Sequence, residues 1–180
     1  MLQSVLQPYR SRSRGYIHDP IAKVFHRILL GAGFYLLPNF VNGHQITHVI
    51  NCADDYACPP SLRVYLGKNY TCLNAFDDET NIIEKHYPAF EAAMDAYLRD
   101  PICKNVYVHC QAGMNRSATL VIAYVVKRFR VQLLHLVNHV ARQRPCVLMN
   151  LHFQDYLVKF ASDLINNVGE CTGQHNLDRK

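Results

Sequence analysis

The strongest constraint on the fold of this chain is a strand–loop–helix pattern in residues 105–129. Residues 105–109 form a short apolar run typical of a buried strand, and residues 118–129 form a longer apolar run typical of a buried helix. A short polar loop, which begins at Cys110 and contains Gly113, joins the two runs. Such a loop directs backbone N–H groups and the positive end of a helix dipole at one point, which suits an anion.

The rest of the chain repeats the alternation of strand and helix patterns. Apolar runs of strand length are separated by glycine, proline or asparagine, and they lie at residues 28–30, 34–37, 48–51 and 69–76. Helical spacing of apolar residues marks residues 82–98, 133–142 and 150–165. The alternation predicts an α/β fold with a central, mostly parallel sheet of about five strands flanked by helices. Ligands bind such sheets where a strand leads through a loop into a helix, and the loop after residue 109 has that position.

The length of 180 residues suits one domain with short extensions. We expect an N-terminal arm at residues 1–25, a globular domain at 26–166 and a flexible tail at 167–180. Part of the net charge of +5 lies at Arg10, Arg12 and Arg14. We interpret this cluster as a solvated arm, which is also a candidate surface for a homodimer. No apolar run is long enough to span a membrane, so we expect no membrane association and an intracellular location, cytoplasmic or nuclear.

The cysteines and histidines argue against metal and disulfide sites. The seven cysteines are scattered and contain no Cys-x-x-Cys pair, which is against a disulfide framework and against structural zinc. His135 and His139 are four residues apart, but they lack an adjacent glutamate and a third ligand. We therefore expect neither a metal nor an organic cofactor.

Residues 109–117 read His-Cys-Gln-Ala-Gly-Met-Asn-Arg-Ser, and each type suits the binding of a phosphate. Gly113 permits a positive φ angle, and the guanidinium of Arg116 can donate to two phosphate oxygens at once. The same dipoles and charge favour the thiolate of Cys110, which makes it a nucleophile. We expect His109 to orient the loop by a hydrogen bond and Ser117 to donate to the sulfur. A buried, inert cysteine would explain Cys110 but not its neighbours.

These nine residues match the His-Cys-x5-Arg-Ser/Thr signature, and residues 26–165 resemble the dual-specificity branch of the protein tyrosine phosphatase superfamily. The resemblance implies a protein phosphatase that hydrolyses phosphotyrosine and phosphoserine or phosphothreonine through a phosphocysteine intermediate, without a cofactor. It implies that Cys110 is the nucleophile, that Ser117 helps the sulfur to leave and that a phosphorylated protein is the substrate. The phosphate would be bound by Gln111, Ala112, Gly113, Met114, Asn115 and Arg116.

The resemblance also implies a general acid, which the family supplies as an aspartate on a separate loop. Asp77 and Asp78 both follow the strand predicted for residues 69–76. The family places an apolar helix residue about six positions after the acid and an aromatic residue about ten positions after it. Ile83 and Tyr87 stand at those distances from Asp77, so Asp77 is favoured and Asp78 is the alternative.

Several alternatives stay open. Asn115-Arg116 resembles the end of the loop in RNA 5′-triphosphatases of the superfamily, but these usually lack the aspartate, so a nucleic acid is the less favoured partner. A pseudophosphatase that binds phosphoproteins without cleaving them is a different class of function. Cys52 follows a predicted strand where some relatives hold a thiol that forms a disulfide with the nucleophile; alternatively it is a small apolar core residue.

Overall fold

The computed structural model describes residues 2–77 and 83–173, with side chains as far as residue 167. The described residues form a five-stranded sheet in the order β1-β2-β5-β3-β4, in which β1 is antiparallel to β2 and the other neighbours are parallel. The strands are β1 (Ala22–Phe25), β2 (Ile28–Ala32), β3 (Ile46–Asn51), β4 (Tyr70–Cys72) and β5 (Asn105–Cys110). This mostly parallel sheet, flanked by helices, confirms the predicted fold class.

Helices cover both faces of the sheet. They are α1 (Leu2–Arg10), α2 (Pro38–Gly43), α3 (Pro60–Leu66), α4 (Tyr87–Arg99), α5 (Arg116–Phe129), α6 (Leu133–Gln143) and α7 (Leu151–Gly173). The larger core joins the sheet to α4, α5, α6 and α7, and a smaller apolar cluster lies under α2 and α3 on the other face. Helix α5 is buried through most of its length, which explains why its sequence is apolar on all sides.

Two predicted strands differ from the structure. Residues 34–37 were predicted as a strand, but the chain forms a 3₁₀ turn at Gly33–Tyr35 and enters α2 at Pro38. Pro38 is suited to the first position of a helix, which explains why the run does not stay extended. The strand predicted for residues 69–76 is confined to Tyr70–Cys72, because Asn74 adopts a left-handed backbone with φ of 51°.

The N-terminal segment packs on the domain at its start, through α1, whereas Arg12 and Arg14 of the charged cluster are exposed, so the arm stays a prediction. Leu2 and Leu6 are buried and α1 packs against α6, because apolar residues four apart form a stripe along one side of α1. Strand β1 also lies within the segment predicted as an arm. The boundary at residue 25 and the homodimer remain predictions. At the other end, α7 continues to Gly173, past the predicted end at residue 165.

None of the helices within the described residues is both long enough and apolar enough to cross a membrane.

Candidate active site

The loop with the phosphate-binding pattern lies at the centre of the sheet. Strand β5, which lies between β2 and β3, ends at Cys110, and α5 begins at Arg116. Cys110 is buried at 1% exposure, and its Sγ accepts a hydrogen bond of 3.2 Å from Ser117 Oγ. The Cys110 sulfur, the Ser117 hydroxyl and the start of α5 are therefore brought together.

Residues 110–115, which we call the phosphate loop, have all six carbonyl oxygens held by donors. Three of these donors are backbone N–H groups, two are on one arginine and one is on a histidine ring; a seventh, the Thr119 hydroxyl, also donates to Asn115 O, at 2.8 Å. The pairs are Cys110 O with His109 Nδ1 (3.1 Å), Gln111 O with Gly33 N (3.2 Å), Ala112 O with Arg144 Nη2 (2.7 Å), Gly113 O with Arg144 Nε (3.0 Å), Met114 O with Leu148 N (2.8 Å) and Asn115 O with Thr119 N (2.9 Å).

This arrangement determines where the N–H groups of the phosphate loop point. A trans peptide carries its N–H opposite its C=O, and the described residues contain no cis peptide bond. Since each carbonyl of residues 110–115 faces its donor, the N–H group that follows it, from residue 111 to residue 116, points away from that donor. Gly113 has φ of 63°, and a Cβ there would overlap the carbonyl oxygen of Gly31, so only glycine fits. The result is a nest of N–H groups of the kind that binds anions.

Arg116 provides the positive charge of the site. Its side chain is 9% exposed, and its Nη1 donates to Ala75 O at 2.9 Å. Its Nε is buried and has no hydrogen-bond partner among the described residues. A buried donor without a partner is costly, so this nitrogen is suited to an anionic ligand that approaches the loop.

His109 is fully buried, and burial lowers its pKa to about 4, although its hydrogen bond to the Cys110 carbonyl acts in the other direction. The ring is therefore neutral near pH 7. Because a carbonyl oxygen can only accept, the proton of the neutral ring is on Nδ1. His109 orients the first peptide of the phosphate loop, as expected, without adding charge to the site.

Asp77 lies at the edge of the phosphate loop. Its carboxylate is exposed, and its two oxygens accept hydrogen bonds from Asn115 Nδ2 at 3.0 Å and from Asn150 Nδ2 at 3.2 Å. Asp78 lies outside the described residues, so the choice between the two aspartates stays a prediction. The contact with Asn115 places the Asp77 carboxylate beside the residue that precedes Arg116.

The two asparagines that hold Asp77 also join other elements. Asn115 Oδ1 accepts from the backbone N–H groups of Met149 (2.8 Å) and Asn150 (3.1 Å). Asn150 Oδ1 accepts from His152 N at 3.0 Å and thereby caps the N-terminus of α7. The phosphate loop, the carboxylate and the start of α7 are thus connected by two side-chain amides.

Sequence reasoning missed the roles of Asn150 and Arg144. Asn150 is recognisable as a helix cap because it precedes a helical pattern, but nothing in the sequence links it to Asp77. Arg144 stands directly before the largely apolar run at residues 145–149. A charged residue beside such a run was the one sequence signal that could have indicated a buried, hydrogen-bonded arginine.

Cys52 lies just after β3, beside the strand that carries the nucleophile. Its backbone N–H donates to the carbonyl of His109 at 2.7 Å, and its side chain is fully buried. Burial raises the pKa of the Cys52 thiol, and the nearby Cys110 sulfur adds to the shift. A disulfide between the two residues remains a prediction.

One histidine of the α6 pair, His139, is engaged by the protein. His139 Nε2 contacts the Lys23 carbonyl at 2.8 Å. Among the described side chains, which lie in residues 2–77 and 83–167, no group of three histidine, cysteine or acidic residues is arranged to hold a metal ion.

Comparison with known proteins identifies the family. A family model described as the catalytic domain of dual specificity phosphatases matches residues 28–163. Human dual specificity protein phosphatase 4 is 31% identical over 121 residues, which are 67% of this chain and 29% of that protein. The tyrosine-protein phosphatase vhp-1 of Caenorhabditis elegans is 26% identical over 166 residues, which are 92% of this chain and 24% of that protein. The chain spans about half or less of the length of the curated relatives that it matches.

Solved structures show the same fold. The human tyrosine phosphatase-like serine/threonine/tyrosine-interacting protein superposes with a TM-score of 0.69 at 22% identity, covering 82% of this chain and 99% of that one. Human DUSP28 superposes with a TM-score of 0.68 at 23% identity, covering 81% and 95% of the two chains. Because the family model spans most of the chain, including the signature at residues 109–117, the chain belongs to the dual specificity phosphatase family.

Proposed function

We propose that this chain is a cysteine-dependent protein phosphatase that hydrolyses phosphotyrosine and phosphoserine or phosphothreonine. The observation that carries the proposal is the phosphate loop, in which six carbonyls are held by donors and six N–H groups point away from those donors. The guanidinium of Arg116, whose buried Nε has no hydrogen-bond partner among the described residues, supplies the charge that such a nest needs for a phosphate dianion.

In the first step the Cys110 thiolate attacks phosphorus in line with the leaving oxygen. An S–P bond forms, the P–O bond of the ester breaks, and Asp77 transfers its proton to the departing oxygen. Arg116 and the N–H groups of the loop stabilise the charge on the transferring phosphoryl group. The products are a phosphocysteine and the free hydroxyl of the substrate.

In the second step water attacks the phosphocysteine. The Asp77 carboxylate accepts a proton from the water, the S–P bond breaks, and inorganic phosphate is released. The hydrogen bond of 3.2 Å from Ser117 Oγ to the sulfur favours the departing thiolate. Neither step requires a metal or an organic cofactor.

The surroundings of Asn115 bear on the alternative of an RNA 5′-triphosphatase. The side-chain amide of Asn115 is engaged by Asp77, Met149 and Asn150, so its presence before Arg116 is explained within the protein. A thiol, a guanidinium and a carboxylate are all present around the loop, which supports a catalyst over a pseudophosphatase.

Hydrolysis of an aryl phosphate tests the proposal. The full chain is assayed with p-nitrophenyl phosphate, with a peptide that carries phosphotyrosine and phosphothreonine, and with RNA that carries a 5′-triphosphate. We expect both residues of the peptide to be dephosphorylated and the Cys110→Ser variant to be inactive. Cys72→Ser is the matched control, because a serine hydroxyl can replace its hydrogen bond to Ala53 O. Equal rates for wild type and Cys110→Ser, or a preference for the RNA, would refute the proposal.

A further inference from the structure

Arg144 is a buried arginine whose hydrogen bonds all go to backbone carbonyls. It lies directly after α6, its side chain is fully buried, and its guanidinium makes five hydrogen bonds. Nε donates to Gly113 O (3.0 Å), Nη1 to Asp19 O (2.7 Å) and Pro20 O (2.8 Å), and Nη2 to Ala112 O (2.7 Å) and Tyr16 O (3.3 Å). Burying a guanidinium is costly, and this cost is offset because all five of its donor positions are used.

The five acceptors belong to two distant parts of the chain. Two are in the phosphate loop, and three are in residues 16–20, which precede β1 and which we call the N-terminal strap. By binding the carbonyls of Ala112 and Gly113, Arg144 turns the N–H groups of Gly113 and Met114 away from its guanidinium. Its charge also lies behind these two peptides and polarises them, which strengthens N–H donation to an anion.

The strap has its own internal support. The carboxylate of Asp19 is buried and accepts hydrogen bonds from Ser13 Oγ at 2.6 Å and from Arg14 N at 2.9 Å. Burial raises the pKa of Asp19, but these hydrogen bonds, together with the charge of Arg144, hold it below its ordinary value, so the group is ionised at neutral pH. Tyr35 Oη also contacts the carbonyls of Ile17 and Asp19 at 3.0 and 2.9 Å.

A second arginine joins the N-terminal region to the loop. Arg10, the last residue of α1, donates from Nη2 to Leu148 O at 3.1 Å, and Leu148 N in turn donates to Met114 O at 2.8 Å. The N-terminal region therefore reaches three consecutive carbonyls of the phosphate loop, those of Ala112 and Gly113 through Arg144 and that of Met114 through Leu148.

We infer that Arg144 is a positioning residue for the phosphate loop and that the docked N-terminal strap, which supplies three of its five acceptors, sets the oxyanion affinity of the active site. The inference rests on the proposed phosphatase function and extends it to a segment outside the family match, which begins at residue 28. Loosening the strap frees Arg144 to move, so the peptides at Ala112 and Gly113 lose their orientation.

The test compares Arg144→Lys with Arg142→Met in the full chain. Arg144→Lys keeps the positive charge but loses the guanidinium fork. Arg142 is an exposed arginine two residues away, so Arg142→Met controls for a nonspecific effect of replacing an arginine at this end of α6. Two readouts do not need turnover: the affinity for inorganic tungstate, and the pH at which iodoacetate alkylates Cys110 half-maximally. For Arg144→Lys we expect roughly tenfold weaker tungstate binding and an alkylation profile moved to higher pH. Arg142→Met should match the wild type in both.

A second pair of variants acts through the strap alone. Ser13→Ala and Asp19→Asn loosen the strap without touching the phosphate loop, and we expect smaller changes in the same direction. These variants decide the question if Arg144→Lys does not fold, as judged by circular dichroism. Wild-type affinity and alkylation profile in the folded Arg144→Lys variant, or in both strap variants, would overturn the inference. If the wild type itself neither binds tungstate nor alkylates at neutral pH, the proposed function fails instead.

Discussion

The phosphate loop and the segment that carries Asp77 supply the two halves of the proposed chemistry, but the protein holds them in different ways. The loop is fixed through its backbone, with every carbonyl from Cys110 to Asn115 bound and the nucleophile buried. Asp77 is exposed, and its carboxylate is held by two side-chain amides.

This difference predicts that oxyanion affinity and kcat depend on different residues. Backbone groups fixed by several partners keep one geometry, so the oxyanion site is formed before the substrate arrives. A carboxylate held by two side chains can be displaced by a change in either side chain. We therefore expect substitutions around the loop to alter oxyanion affinity, and substitutions around Asp77 to alter kcat while affinity stays the same.

The sharpest test of this separation is Asp77→Asn. Loss of the general acid should lower kcat on a phosphotyrosine peptide by roughly 10² to 10⁴-fold, while tungstate affinity stays close to that of the wild type. Asp78→Asn is the matched control and should remain within a few fold of the wild type. Equal losses of kcat in the two variants would contradict the assignment of Asp77 as the general acid. A loss of tungstate affinity in Asp77→Asn would contradict the contrast between the two regions.

The burial of His109, beside the phosphate loop, predicts that the stability of the protein depends on pH. The pKa of His109 is about 4 in the folded protein against about 6.5 in the unfolded chain, so between these values the unfolded state binds the extra proton. The free energy of unfolding should therefore fall as the pH drops from 6.5 to 4, by about 3 kcal/mol in total.

Urea unfolding at a series of pH values measures this effect. The His109→Asn variant should show a shallower fall than the wild type. A variant at His109 with the same pH dependence as the wild type would show that this ring is not the group responsible.

A smaller effect is expected from the amides that hold the acid. Asn115→Asp keeps the acceptors for Met149 N and Asn150 N but places a second carboxylate against Asp77. We expect kcat to fall roughly tenfold, which is the cost of one lost hydrogen bond with some like-charge repulsion. Asn42→Asp, at an exposed position of α2, controls for the added charge. Unchanged kcat in Asn115→Asp would mean that Asp77 does not depend on this contact.

The smallest expected effect concerns Cys52. Mild peroxide should oxidise Cys110 to a sulfenic acid, which condenses with the Cys52 thiol to give a disulfide and water. The reaction should be slow, because burial raises the pKa of Cys52 and little thiolate is present. Peptide mapping by mass spectrometry detects the link, and Cys58→Ala, at another buried cysteine, should leave it intact. Absence of the link would leave Cys52 as a core residue.

The fold and the centre of the site were predictable because their signals are local. The apolar strand before Cys110, the glycine at the positive φ angle and the buried helix after Arg116 are all contained in residues 105–129. Residues 34–37 were misassigned because a short apolar run fits a strand and a turn before Pro38 equally well.

The surroundings of the site were not predictable, for a different reason. Arg144 binds carbonyl oxygens, and these are the same in every residue, so the sequence carries no mark of which ones will be bound. The partners are also distant along the chain, as with Arg144 and Asp19, which are 125 positions apart. The packing of α1 was missed because its apolar stripe occupies one side of a short helix that contains Pro8.

The five hydrogen bonds of Arg144 bear on the order of events during synthesis. Asp19 is synthesised 125 residues before Arg144. The strap therefore lacks the guanidinium that it binds during most of the translation of the domain. An unfinished chain already carries Cys110 but lacks the group that orients Ala112 and Gly113. Under the inferred role of Arg144, we therefore expect a nascent chain to bind an oxyanion weakly until residue 144 has been added and α6 has packed.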